Sequence, residues 1–236
     1  MCGRYRIKDT DVIDEHMRRT FNIPKWAGKP RYNIAPSQEL PVLARDREGQ
    51  VQLATMRWGF IPFWETTDKP RLAPINAAAE KVTTSSMFRQ SVQKRRCLVP
   101  ADGFYEWKRF DEKLKVPFDI HLKGGRPFYF AGIYEAATQS RPATYAILTT
   151  EPNELVATLH NRMPAILDDD EAQRWLAPEA VSPGEVAKLT APHPAADMEA
   201  IAVSSLVNSP RNDLPECLEP TTYEPPPPRP QQGELF

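Results

Sequence analysis

The sequence predicts an α+β fold whose sheets are largely antiparallel, with helices at the periphery. Three observations carry this. Short apolar runs rich in Val, Ile, Phe and Tyr follow one another closely through the middle of the chain, as sequential neighbours in a sheet do. Only a few segments repeat at helical spacing. Proline is frequent, 25 of 236 residues, about twice the usual share of roughly 5%. Many prolines sit beside aromatics, as in Trp58-Gly59-Phe60-Ile61-Pro62-Phe63-Trp64, which argues for a loop-rich fold rather than a bundle.

The elements follow in order. Thr10 to Phe21 reads as a helix, with Val12, Ile13, Met17 and Phe21 at helical spacing and Asp9 or Thr10 as cap. Glu39–Asp46 and Val51–Trp58 read as a hairpin across Arg47-Glu48-Gly49. Strands are expected at Arg96–Ala101, Gly103–Phe110, Val116–Leu122, Pro127–Tyr134 and Thr144–Thr150, with Lys123-Gly124-Gly125 as a turn. A short helix spans Pro152–Leu159, ending at His160. Helices at Asp169–Leu176 and Pro183–Leu189 and a strand near Met198–Val203 complete the series. Residues 1–219 read as one domain. From Pro220 the character changes: Glu224-Pro-Pro-Pro-Pro-Arg-Pro230 reads as an extended, disordered tail. Its apolar tip, Leu235-Phe236, is either an anchor for a partner's groove or a frayed end.

No apolar run approaches the ~18 residues of a membrane span. Arg4, Arg6, Asp9, Asp11, Asp14 and Glu15 do not fit a signal peptide, so a cytoplasmic protein is expected. Cys2, Cys97 and Cys217 form no CxxC pattern; no metal site and no cofactor are expected, and Cys97 reads as a core residue. Charge is asymmetric. Residues 1–100 hold 18 Lys/Arg against 10 Asp/Glu, and residues 101–236 hold 12 against 21. Lys81 to Ala101 carries Lys81, Arg89, Lys94, Arg95 and Arg96 and no acidic residue. This run is either a phosphate-binding face or a solvated one.

Cys2 follows the initiator methionine directly. If Met1 is removed, residue 2 carries a free α-amine, with a pKa of about 7.7–8.0, beside a thiol of about 8.5. This pair can attack an aldehyde twice, nitrogen first and sulfur second, closing a five-membered thiazolidine. An accident of the start codon is the other reading. Such chemistry needs a proton shuttle. His160, in His160-Asn161-Arg162-Met163-Pro164, stands at a helix-to-loop boundary beside an arginine, whereas His16 reads as structural or exposed, His121 sits in an alternating strand and His193 in a Pro-rich loop. Glu106 lies among aromatics in Phe104-Tyr105-Glu106-Trp107. Burial there would raise its pKa, but strand alternation alone favours an outward residue. Asn76 is an amide in an apolar stretch. Trp58, Phe60, Phe63 and Trp64 would stack on bases if exposed and form core if buried.

Taken together, these segments resemble the SOS response-associated peptidase (SRAP) family of abasic-site DNA–protein crosslinking proteins. The matching segments are Met1-Cys-Gly-Arg-Tyr5, Tyr32-Asn-Ile-Ala-Pro-Ser37, Arg57-Trp-Gly-Phe-Ile-Pro62, Ile75-Asn-Ala77 with Glu80, Arg96 to Trp107, Phe130-Ala-Gly-Ile-Tyr134, Leu148-Thr-Thr150 and His160 to Pro164. The resemblance implies a β-rich, barrel-like core and a positive groove for single-stranded DNA. It implies that Cys2 captures the ring-opened aldehyde of an abasic site, with Asn76 orienting the amine. Glu106 would act as acid/base and His160 in proton transfer at the imine. Arg4, Arg89 and Arg162 would hold phosphates, Asn33 would shape the pocket, and Trp64 would serve as wedge or stacking surface. One departure is Ala78, where many relatives carry arginine, which should weaken DNA affinity. Gln232-Gly-Glu-Leu-Phe236 looks like the peptide that docks on the replicative sliding clamp through Gln232, Leu235 and Phe236. The expected protein is a monomer working near replication forks. Two other readings stay open: an N-terminal-nucleophile thiol peptidase, including autoproteolysis, and a clamp-tethered strand binder without chemistry.

Overall fold

The computed structural model describes residues 2–67, 70–110 and 114–222. In chain order it holds β1 (Tyr5–Ile7), α1 (Thr10–Phe21), β2 (Arg31–Ile34), β3 (Glu39–Arg45), β4 (Val51–Trp58), β5 (Asn76–Ala78), α2 (Arg89–Lys94), β6 (Arg96–Ala101), β7 (Gly103–Arg109) and β8 (Lys115–Leu122). Then come β9 (Phe128–Glu135), β10 (Thr144–Thr150), α3 (Glu154–Ala157), β11 (Met163–Pro164), β12 (Ile166–Leu167), α4 (Asp169–Trp175), α5 (Pro183–Leu189) and β13 (Met198–Ala202).

Local chemistry explains the helix ends. The Asp9 side chain accepts from the Val12 amide and Asn22 closes α1 in the left-handed region at φ 52°. Helices α4 and α5 each begin with a capping box, Asp168 with Glu171 and Ser182 with Glu185. Ile13 and Met17 of α1 are buried as expected, but Val12 is exposed and Phe21 only half-buried. The apolar face is narrower than the spacing suggested. Helix α3 is shorter than its predicted span, and α2, β1, β2 and β5 are elements that the sequence pattern did not signal.

The strands form two sheets. One runs β13-β8-β7-β1-β2, each neighbour antiparallel. The other contains a ring in which β4 pairs β3, β3 pairs β6, β6 pairs β9 and β9 pairs β10, all antiparallel. Strand β10 then pairs β4 in parallel and closes the ring. A closed ring of five strands cannot alternate direction throughout, so at least one parallel pair is a geometric necessity. Strand β5 adds a second parallel pairing on β10, Asn76 opposite Ile147. The expectation of largely antiparallel sheets therefore holds, with the parallel pairs at β4–β10 and β5–β10.

The core fills the ring and the space beneath the smaller sheet, including Tyr5, Trp58, Phe60, Cys97, Phe130 and Tyr145. Tyr5 ties the two sheets together: its hydroxyl meets that of Tyr145 at 2.9 Å and its ring packs edge-on against Trp58 and Phe130. Beside it, Arg6 is buried between Asp119, at 2.7 and 3.0 Å, and Asp102 at 2.5 Å. Asp102 also accepts the amides of Lys8 and Asp9, fixing the turn from β1 into α1. Gly103 makes room for that guanidinium; a Cβ there would lie 2.5 Å from the Arg6 Cζ.

Among the described residues no helix is long and apolar enough to cross a membrane. The chain stays bonded to the fold as far as Thr221, whose amide donates to Ala202. The Pro-rich tail, with Gln232, Leu235 and Phe236, lies outside the described residues.

Candidate active site

Cys2 sits at the seam between the two sheets. Strand β1 carries it against β7 of the smaller sheet, where the Tyr105 amide donates to the Arg4 carbonyl at 3.0 Å. From the ring side, Asn76 at the start of β5 donates its Nδ2 to the Cys2 carbonyl at 2.8 Å. Asn76 Oδ1 is buried with no hydrogen-bond partner among the described residues. It is an acceptor ready for an N–H. The Cys2 thiol is buried and reaches the Arg4 carbonyl at 3.8 Å.

Glu106 on β7 is 3% exposed. The alternation argument, which favoured an outward side chain, fails because this stretch of β7 is covered on both faces: Phe104, Tyr105 and Glu106 are all buried. Burial raises the Glu106 carboxyl to about 7, with the positive charge of the chain's amino terminus pulling the other way. That same charge, behind the larger effect of burial, holds His160 below its ordinary value. Burial, and then the charge of Glu106, push the Cys2 thiol well above the usual cysteine range. Glu106 acts on the Cys2 thiol, Glu106 and His160 both respond to the amino-terminal charge, and Asn76 is bonded to residue 2. The buried thiol corrects the expectation of a partly ionised sulfur at neutral pH. His160 follows α3, and its Nδ1 faces both the amide (3.1 Å) and the carbonyl (3.2 Å) of Arg162. The tautomer that donates Nδ1–H to the carbonyl keeps its lone pair on Nε2.

The residues expected to face DNA divide into two groups. Arg89 on α2 is exposed. Trp64 (49%) and Phe63 (51%) are exposed neighbours at 5.0 Å, whereas Trp58 and Phe60 are fully buried. The aromatic segment is therefore core in its first half and surface in its second. Arg4 and Asn33 are held inside a network. Arg4 Nη1 donates to Asn33 Oδ1 at 2.7 Å and to the Val207 carbonyl at 2.8 Å, and the guanidinium lies 5.6 Å from the Trp107 ring centroid. Asn33 Nδ2 donates to the carbonyls of Val207, Ser209 and Asn212. Asp213, which no sequence signal marked, accepts the amides of Tyr32 and Asn33 and pairs with Arg31. Arg162 forms a two-pronged pair with Glu80.

The basic run is only partly a face. Lys81, Arg89 and Lys94 are exposed. Arg95 pairs with Glu135 at 2.8 Å, and buried Arg96 donates to carbonyls of Val92, Gln93, Trp175, Ala177 and Glu179. The remaining histidines take structural posts: His16 stacks on Tyr129, His121 bridges Asp119 and Glu199, and His193 lies beside Asp197. Among the described residues no cluster of His, Cys, Asp and Glu could hold a metal.

A mixed α+β ring thus carries Cys2, bonded by Asn76, with a raised Glu106 carboxyl and a depressed His160 imidazole. Comparison with known proteins gives the family. The family described as SOS response associated peptidase (SRAP) matches residues 1–210, and the chain belongs to it. It is 44% identical over 224 residues, 93% of this chain and 98% of the relative, to the abasic site processing protein YoaM of Bacillus subtilis. It is 34% identical to the abasic site processing protein HMCES of Gallus gallus, over 84% of this chain and 69% of that protein. A crystal structure of a protein from Bacteroides thetaiotaomicron superposes with a TM-score of 0.77 at 26% identity, covering 94% of this chain and all of that one. The named relatives are abasic site processing proteins, and this chain belongs to the same family.

Proposed function

We propose that this chain captures abasic sites in single-stranded DNA as a covalent thiazolidine at Cys2, after removal of Met1. The reading is supported by the bond from Asn76 to Cys2, with Glu106 and His160 both responding to the charge at the chain's amino terminus. The ring-opened sugar offers an aldehyde. The α-amine adds to it, forming C–N, and the carbinolamine loses water to give an imine. The thiol then adds across C=N, forming C–S, and its proton ends on nitrogen. One water leaves overall.

Each side chain suits a step. Asn76 pins residue 2 through the Cys2 carbonyl and offers Oδ1 to the amine. Glu106, near 7, can give a proton to the leaving hydroxyl and take one from the sugar hydroxyl during ring opening. His160, neutral at pH 7 because its pKa is depressed, can take the proton that the amine sheds. The buried thiol stays protonated until the imine forms, so nitrogen attacks first. Arg89, Arg162, Trp64 and the Arg4–Asn33 network are assigned to the strand, and the tail to a sliding clamp at replication forks.

Intact mass spectrometry after incubation with an abasic single-stranded oligonucleotide tests this. The wild type should gain the oligonucleotide mass less one water, and Cys2→Ala should not. An equal adduct with Cys2→Ala would refute the assignment.

The family description's word peptidase motivates a second reading, an N-terminal thiol hydrolase. It has less support, because nucleophilic cysteines are activated by a lowered pKa and burial moves Cys2 the other way. Cys2-dependent turnover of a peptide substrate would favour it.

A further inference from the structure

Arg162 is occupied in the DNA-free protein. Its Nη1 donates to Glu80 Oε1 at 2.8 Å and its Nη2 to Glu80 Oε2 at 2.9 Å, a parallel fork. Nη2 also donates to the Thr149 carbonyl at 2.6 Å. The Arg162 side chain is 22% exposed and that of Glu80 is 47% exposed. The carboxylate is therefore the outer partner and the Thr149 carbonyl the inner one. Glu80 sits in the single 3-10 turn Ala79–Lys81 that leaves β5 three residues after Asn76. Hydrogen bonding to Arg162 holds it below the usual carboxylate range, so it is charged at any neutral pH.

A carboxylate and a phosphodiester present the same thing to a guanidinium: two anionic oxygens matched to its fork. We propose that Glu80 is an internal stand-in for a DNA phosphate, holding Arg162 until a strand arrives and then being displaced by it. This rests on the reading of Arg162 as a phosphate-facing residue. The bond to Thr149 survives the exchange and keeps the guanidinium in place. The backbone of Arg162 addresses His160 Nδ1, so the latch also steadies the proton-transfer residue before substrate binds. The cost is affinity: every strand pays for one broken ion pair.

Binding of an undamaged single-stranded oligonucleotide, which offers no aldehyde, separates this from the chemistry. Fluorescence anisotropy at several salt concentrations is the readout. Glu80→Gln should bind roughly three- to fivefold more tightly than wild type, with the same salt slope. Arg162→Ala should bind more weakly and lower the slope by about one. In the Arg162→Ala background, Glu80→Gln should change affinity by less than about half of its effect alone. Glu80→Asp, which keeps the charge but draws it back by one methylene, should also tighten binding. If Arg162→Ala changes neither affinity nor slope, the phosphate reading itself falls. If Arg162→Ala weakens binding but neither Glu80 variant tightens it, only the stand-in is wrong. Equal tightening by Glu80→Gln with and without Arg162 would also sink it, leaving a general charge effect.

Discussion

Two buried carboxyls on paired strands, Asp119 of β8 and Glu106 of β7, shift in opposite directions. At the first, Asp119 and Asp102 enclose Arg6. Burial pushes Asp119 up, but His121 and Arg6 together outweigh it and hold the carboxyl below its ordinary value. At the second, Glu106 is buried just as deeply, burial wins, and the carboxyl rises to about 7. The first site is compensated within the scaffold and holds β1, β7 and β8 in register. The second is a carboxyl that burial raises into the neutral range. His121 and Arg6 hold Asp119 down, whereas Asp102 is raised by burial despite Arg6, and at Glu106 the amino-terminal charge does not offset burial.

The largest effect expected from breaking this contrast is at Arg6. Arg6→Met leaves two buried carboxylates without their cation and should cost about 3–5 kcal/mol in denaturant unfolding. A loss below about 1 kcal/mol would mean that the pair is not compensated as described. Next is Glu106→Gln, where the sign reverses. The folded pKa near 7 exceeds the model value of 4.5, so between those two pH values the folded state binds more protons and stability falls as pH rises. At pH 8 the glutamine variant should be more stable by on the order of 3 kcal/mol, with no difference below about pH 4, while crosslinking slows about a hundredfold. Thermal melts across pH check the first part and adduct kinetics the second. A pH-independent stability difference would remove burial as the cause. The smallest is Gly103→Ala: its Cβ presses on Arg6 and should cost about 1–3 kcal/mol, without altering the apparent pKa near 7 in the crosslinking profile.

Much of this was legible in the sequence, and the failures share a cause. The long strands and capped helices were visible because alternation, periodicity and caps are local. Strands β1, β2 and β5 hold only three or four residues each and carry no period. They exist because neighbouring strands offer them unpaired edges. Arg95 and Arg96 looked like surface charge, yet carbonyls near α4 and the Glu135 carboxylate draw them inward. Asn33 and Asp213 meet across 180 residues of chain, and composition gives no hint of that.

The sequence alone determined that Cys2 follows Met1, the long strands and capped helices, and the family, because covalent adjacency and short-range patterns are written residue by residue. Only the tertiary structure decided that Glu106 faces inward, that the Cys2 thiol is buried, and that Arg162 already holds an anion. Burial and pairing depend on what the other sheet brings across the seam, and that is a property of three-dimensional proximity rather than of spacing along the chain.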